Sequence, residues 1–555
     1  MAQNPDISKY FNEDQSNESN QFFDKVNTDQ PAVPSTVEKN EDTVGSSDKD
    51  EEPVVCKIFQ SSSTKKTFEA DPSNFFDMIG TVDNELNATY QEQDLNASSN
   101  PTGKDSGDIL SFFKTFDENF SKPTQVTESE RSRDAWIIPD SARKILSTPP
   151  GSCVTTRDML TMPGVILEEE LKDTIYEAVH HLLGENEASK RKILTAAEVT
   201  EDDRGIRDLI RAGCYKAAVN LTKTLLTTYG QGPGKAGHPS KHTVRSIQLW
   251  FTRLALLVKL KSFSLAYDES EPFGDLEKPD MFFQFYPKLY EGRTGSIVPF
   301  SLRLLVAQMP AYIDKHQLAL TRLHAVLATV RKILANLEKG FFEDGTPSEI
   351  GPEAKAESIK LWKCRETRVL HAIVSCSLAF KDYSLAIEVV QMLIDREQDQ
   401  QQQRCLQSAL GRILLQLGDI VSAEKQFSLA RNGLAATGTR DLIDSGLSLL
   451  AQNQFQEAYK VFEKAYELDP RNITAINNIA VCLLYLGRLK QAIVLLEDTI
   501  QKYPKTALHE SLLLNLCTLY ELQSSYYSQA KLKLLKLVNQ NKGDGFNIGC
   551  LKLHM

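Results

Sequence analysis

The chain has 555 residues and carries 74 Asp and Glu against 63 Lys and Arg, a net charge of −11, so it is long enough for several domains or one repeat array. Residues 1–130 hold 26 acidic and 10 basic side chains, a net of −16, which leaves about +5 for residues 131–555. This charge split reads as an acidic tail on a near-neutral body, and the lack of a basic stripe with interleaved aromatics argues against nucleic acid as a partner.

The tail, 1–130, is rich in Ser, Asn, Asp, Glu, Gln and Thr. It cannot bury enough apolar surface to offset the entropy of ordering, so disorder is expected. Its opening, MAQNPDISKY, lacks the basic and apolar runs of a signal peptide. Apolar islands stand at 21–26, 54–60, 73–80 and 108–116. They read either as short motifs that dock in a groove or as chance clusters. Phe22-Phe23-Asp24 and Phe75-Phe76-Asp77 resemble the core of a two-Phe, acidic-tract motif that binds an ER membrane receptor, though most of the flanking residues of that motif are missing.

Residues 131–165 read as a linker and anchor. Thr148-Pro149-Pro150-Gly151 is turn chemistry, and Trp136, before Ile137-Ile138-Pro139, is the expected point where the tail first meets the body.

Residues 166–340 read as divergent helical repeats with two ordered loops, 229–245 and 271–300. The first loop, YGQGPGKAGH, invites comparison with a phosphate cradle. That cradle needs G-x-x-x-x-G-K-[ST] after a strand. Here Tyr229 stands at the first glycine position and Ala236 at the hydroxyl position, and the preceding YKAAVNLTKTLLTTY reads as a helix. His238 and His242, four residues apart, have no third ligand in view. No nucleophile–base–orienter set is apparent, so neither a cofactor, a metal nor a catalytic residue is expected. The 271–300 loop is crowded with aromatics, including Phe282 and Phe283, and reads either as packing on the body or as a docking surface.

Residues 341–555 read as a regular array. Pro470 and Pro504 are 34 residues apart, and the windows 439–472 and 473–506 superpose: Gly446 on Ala480, Phe455 on Leu489, Ala458 on Ala492 and Phe462 on Leu496. This is the spacing of the tetratricopeptide (TPR) helix–turn–helix unit. Small residues let the two helices approach, large ones fill between them, and the prolines end the second helix. Window 404–437 fits with Gly411, Gly418, Ala423 and Phe427, and window 367–400 with Tyr383 and Ala386; capping helices follow at 507–555. Looser copies begin near 199 (Gly213, Tyr215, Ala218) and near 247 (Trp250, Phe263, Ala266). The longest apolar run, such as 479–486, is far short of the ~20 residues of a membrane span, so a cytoplasmic protein is expected. The fold class is therefore all-α, a solenoid of stacked hairpins forming a rod. Some members of the repeat family clamp a C-terminal carboxylate with Lys and Asn. Asn478 holds one such position, but Ile443, Leu447, Leu508 and Leu512 hold the others. Asn477 and Asn478 are retained as candidate partner contacts with Trp136, Phe282 and Phe283.

With these features in place, the chain resembles the TPR-containing subunit of the animal trafficking protein particle (TRAPP) complexes. The resemblance rests on LTMPGV (160–165), YGQGPGKAG (229–237), SIQLWFTRLALLVKL (246–260), EPFGDLEKPDMFFQFYP (271–287), GRTGSIVPFSLRLL (292–305), KILANLE (332–338), HESLLLNL (509–516) and GDGFNIGCLKL (543–553). It implies a non-catalytic scaffold of a TRAPP III-type tether and Rab exchange factor, in ER-to-Golgi transport and autophagy. The implied partners are other TRAPP subunits and, through them, a Rab GTPase and membranes. The implied location is peripheral, on the ER–Golgi intermediate compartment and Golgi. The Asn/Ser-rich tail departs from the longer, Pro-rich tail of the vertebrate members. The alternative is a free-standing TPR adaptor that recruits clients through its groove.

Overall fold

The computed structural model describes residues 128–147, 157–347, 351–433, 437–524 and 527–553. The acidic tail with its two Phe-Phe-Asp motifs, and the 148–151 turn, lie outside them. Among the described residues the regular structure is helical, with two isolated bridges, Phe282–Ser296 and Phe341–Pro347. In chain order the helices are α1 (Glu128–Asp134), α2 (Asp140–Leu146), α3 (Thr174–Leu183), α4 (Glu185–Ala188), α5 (Asp203–Arg211), α6 (Tyr215–Thr228), α7 (Val244–Lys259), α8 (Phe263–Ser270), α9 (Phe300–Gln308) and α10 (His316–Glu338). They continue with α11 (Pro352–Ala379), α12 (Tyr383–Arg396), α13 (Gln400–Leu417), α14 (Ile420–Ala430), α15 (Thr439–Ala451), α16 (Phe455–Leu468), α17 (Ile473–Tyr485), α18 (Leu489–Lys502), α19 (Pro504–Ala507), α20 (Glu510–Gln523) and α21 (Ser528–Asn541).

One backbone device recurs from α5 to α18. Gly213, Lys261, Asp314, Lys381, Gly418, Asn453 and Gly487 all adopt φ between 59° and 85°, and each stands two residues before the second helix of a hairpin. The following N–H returns to the carbonyl five residues back, at 2.8–3.0 Å: Cys214 to Leu209, Ser262 to Leu257, Lys315 to Pro310, Asp382 to Ser377, Asp419 to Leu414, Gln454 to Leu449 and Arg488 to Leu483. This left-handed cap satisfies the last carbonyls of the first helix and reverses the chain. Five residues after each left-handed position comes Ala218, Ala266, Ala319, Ala386, Ala423, Ala458 or Ala492, every one fully buried. A methyl group there lets the second helix lie close against the first. The α9/α10 hairpin, marked by Asp314 and Ala319, is a unit that the 34-residue template does not reveal.

Within the hairpins, side-chain size is matched across the pair. A Cβ on Gly411 would lie 2.4 Å from the Phe427 ring, and one on Gly446 would lie 2.5 Å from the Phe462 ring. In the next unit Ala480 and Leu496 take those places, both buried. Gly418 is the left-handed turn residue of its hairpin. Phe455 stacks on Tyr485 at 4.4 Å between adjacent units, and Leu489, half-buried, opens α18. Pro470 follows the end of α16. Pro504 follows α18 and also opens α19, where its missing N–H costs nothing.

The packing corrects the expectation of a rod. Ile175, Ala178 and Val179 of α3, with Ala188 of α4, belong to the same apolar cluster as α15–α21, while the other cluster runs from Trp136 to Phe427. The division of the core therefore does not follow the 340/341 boundary. Asn539 Nδ2 donates to the Glu187 carbonyl at 3.1 Å. The buried Arg191 pairs with Asp173 and donates to the Asn539 and Lys542 carbonyls, both at 3.0 Å. The last helices thus return to the first ones, and the array is closed.

Candidate functional site

The glycine loop grips the 160–167 segment of its own chain. Val165 N–H donates to the Gln231 carbonyl at 3.1 Å and Gly237 N–H to the Met162 carbonyl at 3.0 Å. A Cβ on Gly164 would fall 2.1 Å from the Ala236 nitrogen, so only glycine permits the approach. Beneath the loop, Thr161 Oγ1 lies 2.8 Å from both His242 Nε2 and Asp280 Oδ2, and the Thr161 N–H also donates to Asp280 Oδ2 at 2.8 Å. Gln231 accepts from Trp250 Nε1 at 2.7 Å and faces His242 Nδ1 at 3.3 Å. Thr161, His242 and Asp280 have the composition of a hydrolytic triad without its wiring. The carboxylate binds the hydroxyl rather than orienting His242 Nδ1, and all three groups are buried away from solvent. The adjoining Arg253–Glu269 pair, bonded at 2.6 and 2.8 Å, is fully buried, and Glu269 also accepts from Ile166 N–H at 3.1 Å. These groups hold chain to chain. Among the described residues no cluster of three or more His, Cys, Asp or Glu is placed to hold a metal.

The residues singled out as partner contacts lie largely inside. Trp136 is buried, donates from Nε1 to Glu277 Oε1 at 2.9 Å, lies 6.3 Å from Trp362 and sits under the Arg303 guanidinium at 4.2 Å. Phe282 and Phe283 are core residues: Phe283 N–H donates to the Gly295 carbonyl and Ile297 N–H to the Met281 carbonyl, both at 3.0 Å. The 281–283 stretch of the 271–300 loop can be interior because its backbone groups find such partners. Asn478 is buried, and Asn477, half-buried, accepts from Asn515 Nδ2 at 2.7 Å. The partner-contact expectation for Trp136, Phe282, Phe283 and Asn478 is therefore corrected. Ile443, Leu508 and Leu512 are likewise packed inside the second cluster.

Closure of the array places a second cluster that the sequence reading did not single out. Asp544 accepts from the N–H groups of Lys216 and Ala217, both at 2.9 Å, and so caps α6, whose own cap residue, Cys214, offers no side-chain bond. Burial raises the Asp544 carboxyl above its usual 3.8, against the pull of those two donors. Gly543 and Gly545 flank it. A Cβ on either would lie 2.3 Å from Gly213 O or from the Tyr215 ring, respectively.

A cavity of about 630 Å³ opens among α10, α11, α12 and α13. Its floor is Leu334, Leu370, Val374, Val390, Leu393 and Ile413. On its rim, Glu366 Oε1 holds Arg331 at 2.9 Å and Arg396 at 3.0 Å. Burial alone would raise the Glu366 carboxyl, but the two guanidinium groups together hold it below its usual value. His371 faces the cavity, and burial lowers its basicity. The arrangement offers an apolar floor under a charged rim.

Stacked helical hairpins with left-handed turns and a buried alanine at each close approach define a tetratricopeptide-repeat (TPR) fold. The tetratricopeptide repeat family profile matches residues 449–516. Trafficking protein particle complex subunit 12 of Mus musculus is 38% identical over 99% of this chain and 68% of its own length, and the Homo sapiens protein of that name is 42% identical over 80% of this chain and 62% of its own. The chain belongs to the trafficking protein particle complex subunit 12 family. The crystal structure of the C-terminal part of a TPR repeat-containing protein from Cytophaga hutchinsonii is also similar, at 15% identity over 54% of this chain and 99% of its own, with a TM-score of 0.25. Among the described residues no helix is long and apolar enough to cross a membrane.

Proposed function

We propose that the chain is a non-catalytic scaffold subunit of a TRAPP-type assembly that tethers vesicles and exchanges nucleotide on a Rab GTPase. It acts in ER-to-Golgi transport and autophagy, peripherally on the ER–Golgi intermediate compartment and Golgi. The observation that carries this reading is the match to the mouse relative, 38% identical along 99% of this chain and named as a subunit of that complex. The fold supports it: the ionisable clusters at Thr161–His242–Asp280 and Arg253–Glu269 are consumed in packing, which leaves helix faces as the working surface. The chain's partners are then other TRAPP subunits, and Rab and membrane are reached through them.

Size-exclusion of native extract followed by mass spectrometry tests this. Co-migration with core TRAPP subunits at large mass is the expected result. A peak at the mass of the chain alone supports a free-standing TPR adaptor instead. Nucleotide exchange or turnover by the purified chain alone would overturn the non-catalytic role.

A further inference from the structure

The α10–α13 cavity has a floor, a charged rim and no occupant among the described residues. The imidazole of His371 and the ammonium of Lys363 have no hydrogen-bond or ion-pair partner among the described residues, and both line the opening. A recess of this size and composition suits an amphipathic helix that presents apolar groups at i, i+3, i+4 and i+7.

The tail contains such a segment. In DILSFFKTF (108–116), Ile109, Phe112, Phe113 and Phe116 fall on that spacing, with Asp105 and Asp108 before and Asp117 and Glu118 after. At the rim Arg331 and Arg396 are held by Glu366, and Lys363 is the cation left to meet those acidic flanks. The tail also enters the body beside the cavity. Arg131 of α1 lies over the Phe342 ring at 3.8 Å and pairs with Glu343 at 3.8 Å, just past the end of α10, whose last turns carry Arg331, Leu334, Ala335 and Glu338 to the cavity. The 11 residues 117–127 have a flexible-chain span of about 18 Å and reach about 36 Å when extended.

We infer that this cavity is the docking site for residues 108–116 of the chain's own tail, bound in cis as a short helix through Ile109, Phe112, Phe113 and Phe116. Phe75, Met78, Ile79 and Val82 share the spacing, but Gly80 weakens a helix there and the tether is far longer, which lowers the effective concentration.

Hydrogen exchange with mass spectrometry on the full chain tests the inference. A local concentration of about 1 mM acting on a contact of about 0.1 mM affinity slows exchange of 108–116 about ten-fold relative to 85–100. The expected result is that protection, lost both in the tail variant Phe112→Ser/Phe113→Ser and in the cavity-filling variant Ala409→Trp. The tail variant carries the test if Ala409→Trp loses helicity. Exchange of 108–116 at the rate of 85–100 in the unaltered chain would overturn the proposal. So would protection at 73–82 instead, protection that survives in a folded Ala409→Trp chain, or protection that appears only as protein concentration rises.

Discussion

Gly446→Ala probes the size matching inside a hairpin. The added Cβ would sit 2.5–2.9 Å from three atoms of the Phe462 ring, whereas ordinary contact begins near 3.4 Å. The ring is fully buried, so it must retreat by nearly 1 Å into packed surroundings. Such overpacking costs about 1–3 kcal/mol, and replacing a helix-interior glycine by alanine returns about 0.5–1 kcal/mol. The net loss is about 0–2.5 kcal/mol. Phe462→Leu alone leaves a void and is destabilising, by less than the about 3–5 kcal/mol of a truncation to alanine. Together the two changes reproduce the Ala480/Leu496 pair of the next unit. The double variant should therefore be no less stable than Phe462→Leu alone, with a coupling of about 1 kcal/mol or more. Urea unfolding followed by far-UV circular dichroism measures all four corners of the cycle. Effects that add within about 0.3 kcal/mol, or a Gly446→Ala chain more stable than the parent, would refute the reasoning.

Asp544→Ala removes the cap of α6 and should cost about 1–2 kcal/mol, read as a lowered urea midpoint. Because burial holds the Asp544 carboxyl above 3.8, the native state binds its proton more tightly than the unfolded chain does. Its contribution to stability therefore falls as pH rises from 3.8 through the native value, and Asp544→Asn should flatten that slope in a pH series of unfolding curves. Lys381, exposed at φ 62°, should yield a gain of about 0.5–1 kcal/mol as Lys381→Gly, while Lys381→Val should lower the thermal midpoint. Burial pushes the Cys376 thiol up to about 11 and Cys517 to about 12, while Cys364 is exposed. Thiol labelling of the native chain near pH 7.5 should therefore find Cys364 fastest among the described cysteines by peptide mapping, and lose that signal in Cys364→Ser.

The regular units were legible because Gly446/Phe462 and Ala480/Leu496 recur at a fixed 34-residue spacing in which period and side-chain volume agree. The α9/α10 unit was hidden because the loops before it differ in length, so Asp314 and Ala319 fall out of phase with any fixed window. The local device, a left-handed residue followed five positions later by alanine, survives those insertions in the fold, but at Asp314 no glycine marks it in the sequence. The 271–300 aromatics read either as packing on the body or as a docking surface, because a stretch crowded with prolines has no periodicity to decide it. Phe273, Phe282 and Phe283 are interior and Phe285, Tyr286 and Tyr290 half-buried, and loop carbonyls at Met281 and Gly295 are satisfied within the loop itself. Asp544 was invisible for a different reason: its two donors, Lys216 and Ala217, lie more than 300 residues earlier in the chain, and no local pattern announces a cap supplied from the far end.

The pairing of α3 with α21 bears on how the chain is made. Ile175 and Val179 emerge from the ribosome early, yet the surface that covers them ends at Asn541. At about 5–20 residues per second that interval lasts roughly 20–70 s, during which the nascent chain carries a sticky face that needs shielding. A stop codon anywhere before α21 would leave that face uncovered for good, so the damage from a late truncation would be felt at the opposite end of the protein.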